Sequence, residues 1–515
     1  MLQTDLRNKI KRESRPAGRH GQRLVVVSNR LPFRFALNAE GAWRAHPSGG
    51  GLVTALLPVL RNRGGVWIGW PGATGNVQEL ATALAESGTR AGYSFSAVEL
   101  TAEEINEFYL GFSNEIIWPL FHDMQALCNF APQFWRTYCS VNQKYAAVIH
   151  TQAQPGDFIW VHDYHLMNVA VELRKLGVTS HLGFFLHIPF PAPDIFMTLP
   201  WRESLLRALL EYDLIGFQTS RDQRNFVLCA RMLVHDFVNE GRGQMLVARI
   251  GKREIRIGSF PISIDYKTFV QGAEAQAVKD KAEELRRLLP NRTLILGIDR
   301  LDYTKGIPLR LKAFGDLLTR YPALRQQVTL MQVVVPSRED IPDYQQLRFQ
   351  IEQLVGHINS TLVRPGGWVP VCYEYRSLSR TELLAYYRAA DIALITPLKD
   401  GMNLVAKEYC ACSIEEDCVL ILSEFAGAAS QLARGALLVN PHDIEAVADA
   451  IHTAFNMPSE ERRARMRRMR TSIRENDVFR WVDSFLRAAI STDLSAFPQP
   501  TGLPAAPVSE YHDPH

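Results

Sequence analysis

The 515-residue chain has no apolar run of transmembrane length and no surplus of one charge: 57 basic residues face 54 acidic ones, a net +3. The first absence excludes a helical membrane span. The second gives no reason to expect nucleic acid or an anionic membrane as a general partner. Cysteine is scarce. Cys128, Cys139, Cys229, Cys372, Cys410, Cys412 and Cys418 are odd in number, and no pair has C-x-x-C spacing. A disulfide framework and a zinc site are both unsupported, and a reducing, cytoplasmic compartment is expected. Cys410 and Cys412 read as small buried residues of a helix. Also missing are G-x-G-x-x-G, the P-loop lysine motif and any D-x-D triplet. Neither a dinucleotide-binding turn nor a phosphate loop is indicated. The H-x-x-H of "VHDYH" lacks a helical register and a third ligand, so no metal and no cofactor are expected.

What is present is a soluble, globular mix: 47% apolar and 22% charged residues. A chain this long divides into more than one core, since single cores rarely grow beyond about 300 residues. Short apolar runs recur at 23–30, 158–163, 182–188 and 214–219, with helical patterns such as "LMNVAVELRKLG" between them. Runs of this kind read as strands buried on both faces. Alternation with helices predicts an α/β fold with parallel sheets covered on both sides. The pattern restarts after "SFPISIDYKTF", with strands at 293–299, 328–335, 392–398, 418–424 and 436–441. "SRTELLAYYRAA" offers Ser379 or Thr381 as a helix cap, and "SEERRARMRRMR" offers Ser459. The arginines of the latter read as a solvated face. The expected organisation is a basic leader (1–22), a first doubly wound domain (23–264), a second (265–478), a last helix (479–493) and a proline-rich tail (494–515). Leader and tail are expected to be disordered, and nothing after residue 490 reads as a further catalytic domain.

In doubly wound sheets ligands bind beyond the carboxyl ends of the strands, so the candidate chemistry stands at those ends. "GIDRLDYTKGIP" places Arg300 and Lys305 before a helix whose first turn suits Pro308. Two cations beside a helix start make a diphosphate site; the competing reading pairs them with Asp299 and Asp302. "PLKDGMNLVAKEY" sets Asp400 and Gly401 at a strand end. Backbone amides over 402–405 suit an anion, and Glu408 stands one turn beyond Leu404, where a carboxylate can take a ribose diol. The bland alternative is a capped acidic turn with Lys407 and Glu408 as surface charges. "PSGGGLVTAL" brings Gly50 and Gly51 to a helix start, where backbone can approach a phosphate. "VVVPSRED" places Arg338 after a turn, "SNR" places Arg30, "VHDYH" Asp163 and "HIPFP" His187. Trp70, Tyr109 and Trp118 can face a sugar, although most such aromatics belong to cores.

The ordered series "VVVSNR", "GGVWIGWPG", "FSNEIIWPLFH", "WVHDYHL", "GFFLHIPFP", "DLIGFQT", "RLDYTKG", "PLKDGMNLVAKEY" and "SEFAGAA" resembles the trehalose-6-phosphate synthase family over roughly residues 23–485. The resemblance implies two Rossmann-like domains facing a cleft, the GT-B arrangement, with the last helix crossing back to the first domain. It implies retaining transfer of glucose from UDP-glucose to glucose 6-phosphate, without metal or cofactor. It is compatible with a homodimer or homotetramer. By resemblance Gly50, Gly51, Arg300, Lys305, Leu378, Leu404, Val405 and Glu408 are donor contacts. Asp400 and His187 are contacts of the donor glucose, His187 near the reacting carbon. Arg30, Tyr109 and Arg338 form the acceptor phosphate clamp, and Trp70, Trp118 and Asp163 the rest of the acceptor wall. Asp163, His187, Arg300, Lys305 and Asp400 are the expected catalytic set. One stretch departs: "PAPDIFMTLPWRESLLRALL", with Trp201 and Arg202, resembles the glucosylglycerol-phosphate synthases. Glycerol 3-phosphate is therefore an alternative acceptor, and a non-catalytic sugar-phosphate sensor a further alternative.

Overall fold

The computed structural model describes residues 23–37, 43–47, 53, 56, 60, 65–72, 93–241, 243–338, 341–362 and 367–490. The leader, the tail, residues 491–493, and Gly50 and Gly51 lie outside the described residues.

The first sheet comprises β1 (Leu24–Arg30), β4 (Gly65–Trp70), β5 (Ser94–Ala97), β6 (Phe158–His162), β7 (His181–Phe185), β8 (Leu214–Phe217), β9 (Phe237–Glu240), β10 (Met245–Ile250) and β11 (Arg253–Ser259). Their spatial order is β5-β4-β1-β6-β7-β8-β11-β10-β9. β2 (Phe33–Leu37) and β3 (Trp43–Pro47) pair only with each other. All pairs from β5 to β11 are parallel, and only β10 and β9 run antiparallel at the edge. The second sheet comprises β12 (Thr293–Arg300), β13 (Val328–Val335), β14 (Val371–Tyr375), β15 (Ile392–Ile395), β16 (Val419–Ser423) and β17 (Leu437–Val439). Its order, β14-β13-β12-β15-β16-β17, is parallel throughout. Both are Rossmann-like sheets, and the α/β architecture is a pair of such domains facing a cleft.

The physical cause is visible in β1. Leu24 to Val27 are buried on both sides of the sheet. Alternate residues serve two cores: Val25 and Val27 pack under one face with Ile159 and Val161, while Leu24 and Val26 pack under the other with Trp67 and Trp160. The second face is continuous with apolar residues of the second domain and of the last helix, α-helix Val478–Ile490. Phe485 of that helix stacks on Trp160 with ring centroids 4.4 Å apart. It lies over Gly183 and Gly216, where an added Cβ would meet its ring at 3.1 and 2.7 Å. Trp481 donates its indole N–H to the Phe260 carbonyl at 3.1 Å.

Of the two caps offered at "SRTELLAYYRAA", Ser379 is the one used: its hydroxyl accepts from the Glu382 amide in a full capping box. Ser459 is a correction. It is the first residue inside helix Ser459–Glu475, behind Pro458 at the cap position. Its hydroxyl bonds to Asp417 instead. The arginines of that helix engage Asp417, Glu461 and Glu416, so much of their charge is already paired.

Candidate active site

In each sheet the chain winds outward from β1 or β12, then reverses to place β6 or β15 on the other side. That reversal opens a crevice at the strand ends. β12 and β15 pair over only two positions, Ile295–Ile392 and Leu296–Ala393. The candidate residues gather at these two crevices: Arg30 ends β1, Asp163 follows β6, Arg300 ends β12, and Asp400 lies five residues beyond β15.

Lys305 closes a short 3-10 turn, Tyr303–Lys305, and Gly306 follows with φ +65° before helix Ile307–Arg320. An added Cβ at Gly306 would meet the Thr396 carbonyl at 2.6 Å, so only glycine lets the loop lie this close to the β15 connection. Pro308 sits in the first helical turn. The pairing with Asp299 and Asp302 does not occur. Asp299 accepts from buried Arg310 at 2.6 Å, and Asp302 faces Arg338 at 3.7 Å. Lys305 instead donates to Asp400 Oδ2 at 2.6 Å. Burial alone would raise the Asp400 carboxyl, but the Lys305 charge and hydrogen bond more than reverse it. Arg300 is exposed at the end of β12 and has no ion-pair partner among the described residues.

The stretch after Asp400 is a helix start of the expected kind, with one amendment. The Met402 amide donates to Asp400 Oδ1 at 3.4 Å, and Asn403, at φ +75°, caps the Ala406 amide. The amides left for an anion are those of Leu404 and Val405, which no intrahelical carbonyl can reach. Lys407 and Glu408 are not surface charges. Lys407 is buried and donates to the Ile262 carbonyl and to Gln431, each at 2.6 Å. Burial pushes its ammonium down to about 7. Glu408 accepts from the Tyr387 hydroxyl at 2.8 Å, and burial raises its carboxyl. Leu378 is half-buried beside the Ser379 cap and packs, like Leu404 and Val405, against the same core.

Across the cleft the acceptor candidates form one continuous cluster. The Arg30 guanidinium lies 4.4 Å over the Trp70 ring and 5.3 Å from that of Tyr109. Tyr109 stacks on His165 at 5.8 Å, and His165 lies 4.0 Å from Tyr164. Arg338 of the second domain completes the set, 4.3 Å over Trp118, donating to the Tyr344 hydroxyl at 2.6 Å and to that of Tyr164 at 3.4 Å. Tyr109 and Trp118 are nine residues apart, two and a half turns of an α-helix of 3.6 residues per turn, hence opposite faces. Here Ile105–Ile117 is a π-helix, and the Trp118 amide bonds to the Ser113 carbonyl five residues back. At about 4.4 residues per turn, nine residues make close to two full turns, and both aromatics come to one face.

Asp163 has φ +74° and ψ 167°, a region that costs a non-glycine residue about 1–3 kcal/mol. It is held by its amide to the Phe185 carbonyl at 2.8 Å and by the His187 amide donating to Oδ1 at 3.2 Å. Burial pushes its carboxyl up to about 7 against the pull of the Tyr164 and His187 amides and of Arg338. His187 is half-buried, and loss of hydration pushes its imidazole down to about 3. Sequence reasoning missed His122, whose Nδ1 meets the Trp118 carbonyl at 2.7 Å and whose imidazole burial lowers to about 4 beside Lys305 and Asp400. It also missed Tyr164 and Tyr344 around Arg338, and gave Asp302 other partners. His122, Tyr164 and Asp302 stood inside quoted motifs; no spacing marks Tyr344. The two domains meet here directly: Lys399 pairs with Asp123, and Gly401 packs on the His187 carbonyl. Trp201, from the stretch that departs from the family pattern, stacks on Trp135 at 5.7 Å and lies 5.8 Å from Phe112. It backs the π-helix rather than joining the acceptor cluster.

Residues 22–490 match glycosyltransferase family 20. The chain is 44% identical over 486 residues to a trehalose-6-phosphate synthase of Mycolicibacterium paratuberculosis, covering 93% of this chain and 97% of that one. It is similar to the solved alpha,alpha-trehalose-phosphate synthase (UDP-forming) of Burkholderia xenovorans in complex with glucose-6-phosphate, at TM-score 0.81 and 35% identity, over 91% of this chain and 100% of that one. A structure described as "Trehalose-6-phosphate from E. coli bound with UDP-2-fluoro glucose" matches at TM-score 0.81 and 37% identity, over 91% and 98% of the two chains.

Proposed function

The chain belongs to glycosyltransferase family 20, and from that premise we infer that it is a retaining hexosyltransferase. It moves glucose from UDP-glucose to glucose 6-phosphate and forms α,α-trehalose 6-phosphate and UDP. The observation that carries this reading is the pairing of two anion sites across one cleft. One site joins Arg30 of the first domain to Arg338 of the second on their aromatic faces; the other is made by Lys305, Arg300 and the open helix start at Leu404 and Val405. The reading is supported by related structures that hold glucose-6-phosphate in one case and UDP-2-fluoro glucose in another.

In the proposed mechanism Lys305, Arg300 and the two amides take the charge that develops on the departing diphosphate. Gly50 and Gly51, outside the described residues, are assigned to the donor by resemblance alone; Leu378 is proposed beside the nucleotide and Glu408 as acceptor from the ribose hydroxyls. Asp400, held ionised by Lys305, accepts from hydroxyls of the transferred glucose. His187 and Asp163 line the reacting face, where Trp70 and Trp118 hold the acceptor ring and Tyr109 joins the arginines on its phosphate. The attacking hydroxyl approaches from the side on which UDP leaves, and its proton passes to the leaving phosphate oxygen. The active form is proposed to be a cytoplasmic homo-oligomer. All seven cysteines are free thiols, the state a reducing cytoplasm maintains.

The test is incubation with UDP-glucose and either glucose 6-phosphate or glycerol 3-phosphate, followed by identification of the sugar product. UDP release with an α,α-linked phosphorylated disaccharide is expected only with the hexose phosphate. Binding without UDP release, or equal turnover of glycerol 3-phosphate, would overturn the assignment.

A further inference from the structure

His162 ends β6, one residue before Asp163, and its side chain is buried. Its Nδ1 lies 3.2 Å from Nε2 of His187. Burial holds both imidazoles below their ordinary value, so two neutral rings share this contact and one nitrogen must donate to the other.

The far end of His162 decides the direction. Its Nε2 is sealed and has no partner. It sits in an apolar box with Trp160 at 4.7 Å and Trp481 at 6.5 Å. The Trp160 indole N–H is itself buried without a partner. A proton on His162 Nε2 would therefore place a second orphaned donor in the same box. Orphaned buried N–H groups are rare in native structures. A bare Nε2 puts the proton of His162 on Nδ1, makes His187 Nε2 the acceptor, and leaves His187 protonated on Nδ1. That nitrogen makes no hydrogen bond among the described residues, and it is not among the sealed atoms. Trp481 of the last helix, 6.1 Å from the His187 ring, and Phe185 at 4.7 Å hold the imidazole in place.

We infer that His162 is a positioning residue for the donor sugar: it locks His187 in the Nδ1–H tautomer, so that His187 presents a hydrogen-bond donor to a hydroxyl of the transferred glucose. This rests on the placement of His187 beside that sugar.

The direct test is the tautomer of His187 in the intact protein, read from two-bond proton–nitrogen correlations after 15N-histidine labelling and assigned with His187→Gln. The Nδ1–H pattern is expected; an Nε2–H pattern overturns the inference. A second test pairs variants with substrate analogues. His162→Asn keeps an N–H where Nδ1 stood and is expected to stay within a few-fold of the parent. His162→Phe removes it and is expected to lower kcat/KM for UDP-glucose about 10- to 100-fold, leaving KM for the acceptor unchanged. Among deoxy-UDP-glucose analogues, one is expected to lose about the same factor in the parent protein and to lose nothing further in His162→Phe. Equal behaviour of the Asn and Phe variants, or full sensitivity to every analogue in His162→Phe, overturns the proposal. Unchanged transfer by His187→Ala would overturn the placement of His187 itself, whatever the tautomer proves to be.

Discussion

Replacement of Lys305 separates the chemical role of its charge from its structural one. The Lys305–Asp400 contact is 2.6 Å long, with both side chains largely buried. Lys305→Met leaves Asp400 as an uncompensated buried carboxylate, which destabilises by about 3–5 kcal/mol. Asp400→Asn alone keeps a polar group and is expected to cost less. Lys305→Met with Asp400→Asn removes both charges, so the double variant should recover most of the stability lost in Lys305→Met. Rate should not follow. Losing one preorganised cation at a leaving diphosphate is expected to lower kcat about 10²–10³-fold, by analogy with a lost oxyanion donor. Asp400→Asn alone should lose about tenfold in rate, the scale of one hydrogen bond. The assay is initial UDP release at saturating substrates, beside urea midpoints for the three variants. A double variant that regains rate together with stability, or a Lys305→Met enzyme within about threefold of the parent, would refute the placement of Lys305 on the diphosphate.

Three further outcomes follow from the geometry. Arg30→Ala should raise KM for glucose 6-phosphate about 10- to 100-fold with KM for UDP-glucose unchanged, read from initial rates with each substrate varied. Asp163→Gly and Asp163→Ala should both lose transfer, yet the glycine variant should be more stable than the alanine variant by about 1–2 kcal/mol, because only glycine relieves φ +74°; equal urea midpoints would contradict the strain. Lys407 carries a folded value of about 7 against 10.5 in its ordinary state. Between those values the unfolded chain binds the extra proton, so stability climbs with pH by up to about 1.4 kcal/mol per unit. Below pH 7 both states are protonated and the cost of the buried charge is fully present. Lys407→Met should remove this climb, and the stability difference between parent and variant should shift by about 2 kcal/mol in the parent's favour from pH 7 to pH 9.

The fold was legible because parallel strands buried on both faces cannot alternate polar and apolar residues, and the runs at β1, β6, β8, β12, β13 and β16 show it. The β2–β3 hairpin, the antiparallel edge and β14, "VCYEY", carry no such run and went unmarked. At the site, residue types at strand ends were readable, and so was the helix start at Leu404. Their partners were not. Lys305 and Asp400 are 95 positions apart, and Asp302 and Arg338 36, so neither pairing leaves a local trace. Nor does spacing reveal that Arg338 adopts φ +51°, or that Lys407 turns inward to the strand connector at Ile262.

The winding of Ile105–Ile117 makes the proposed acceptor site depend on chain length as much as on residue type. Swapping one side chain for another within the segment leaves Tyr109 and Trp118 in register. Deleting a single position leaves the two aromatics eight residues apart, and at ordinary pitch their rings would diverge by about 80° around the rod. A one-residue gap there is expected to change the grip even where every aromatic letter survives.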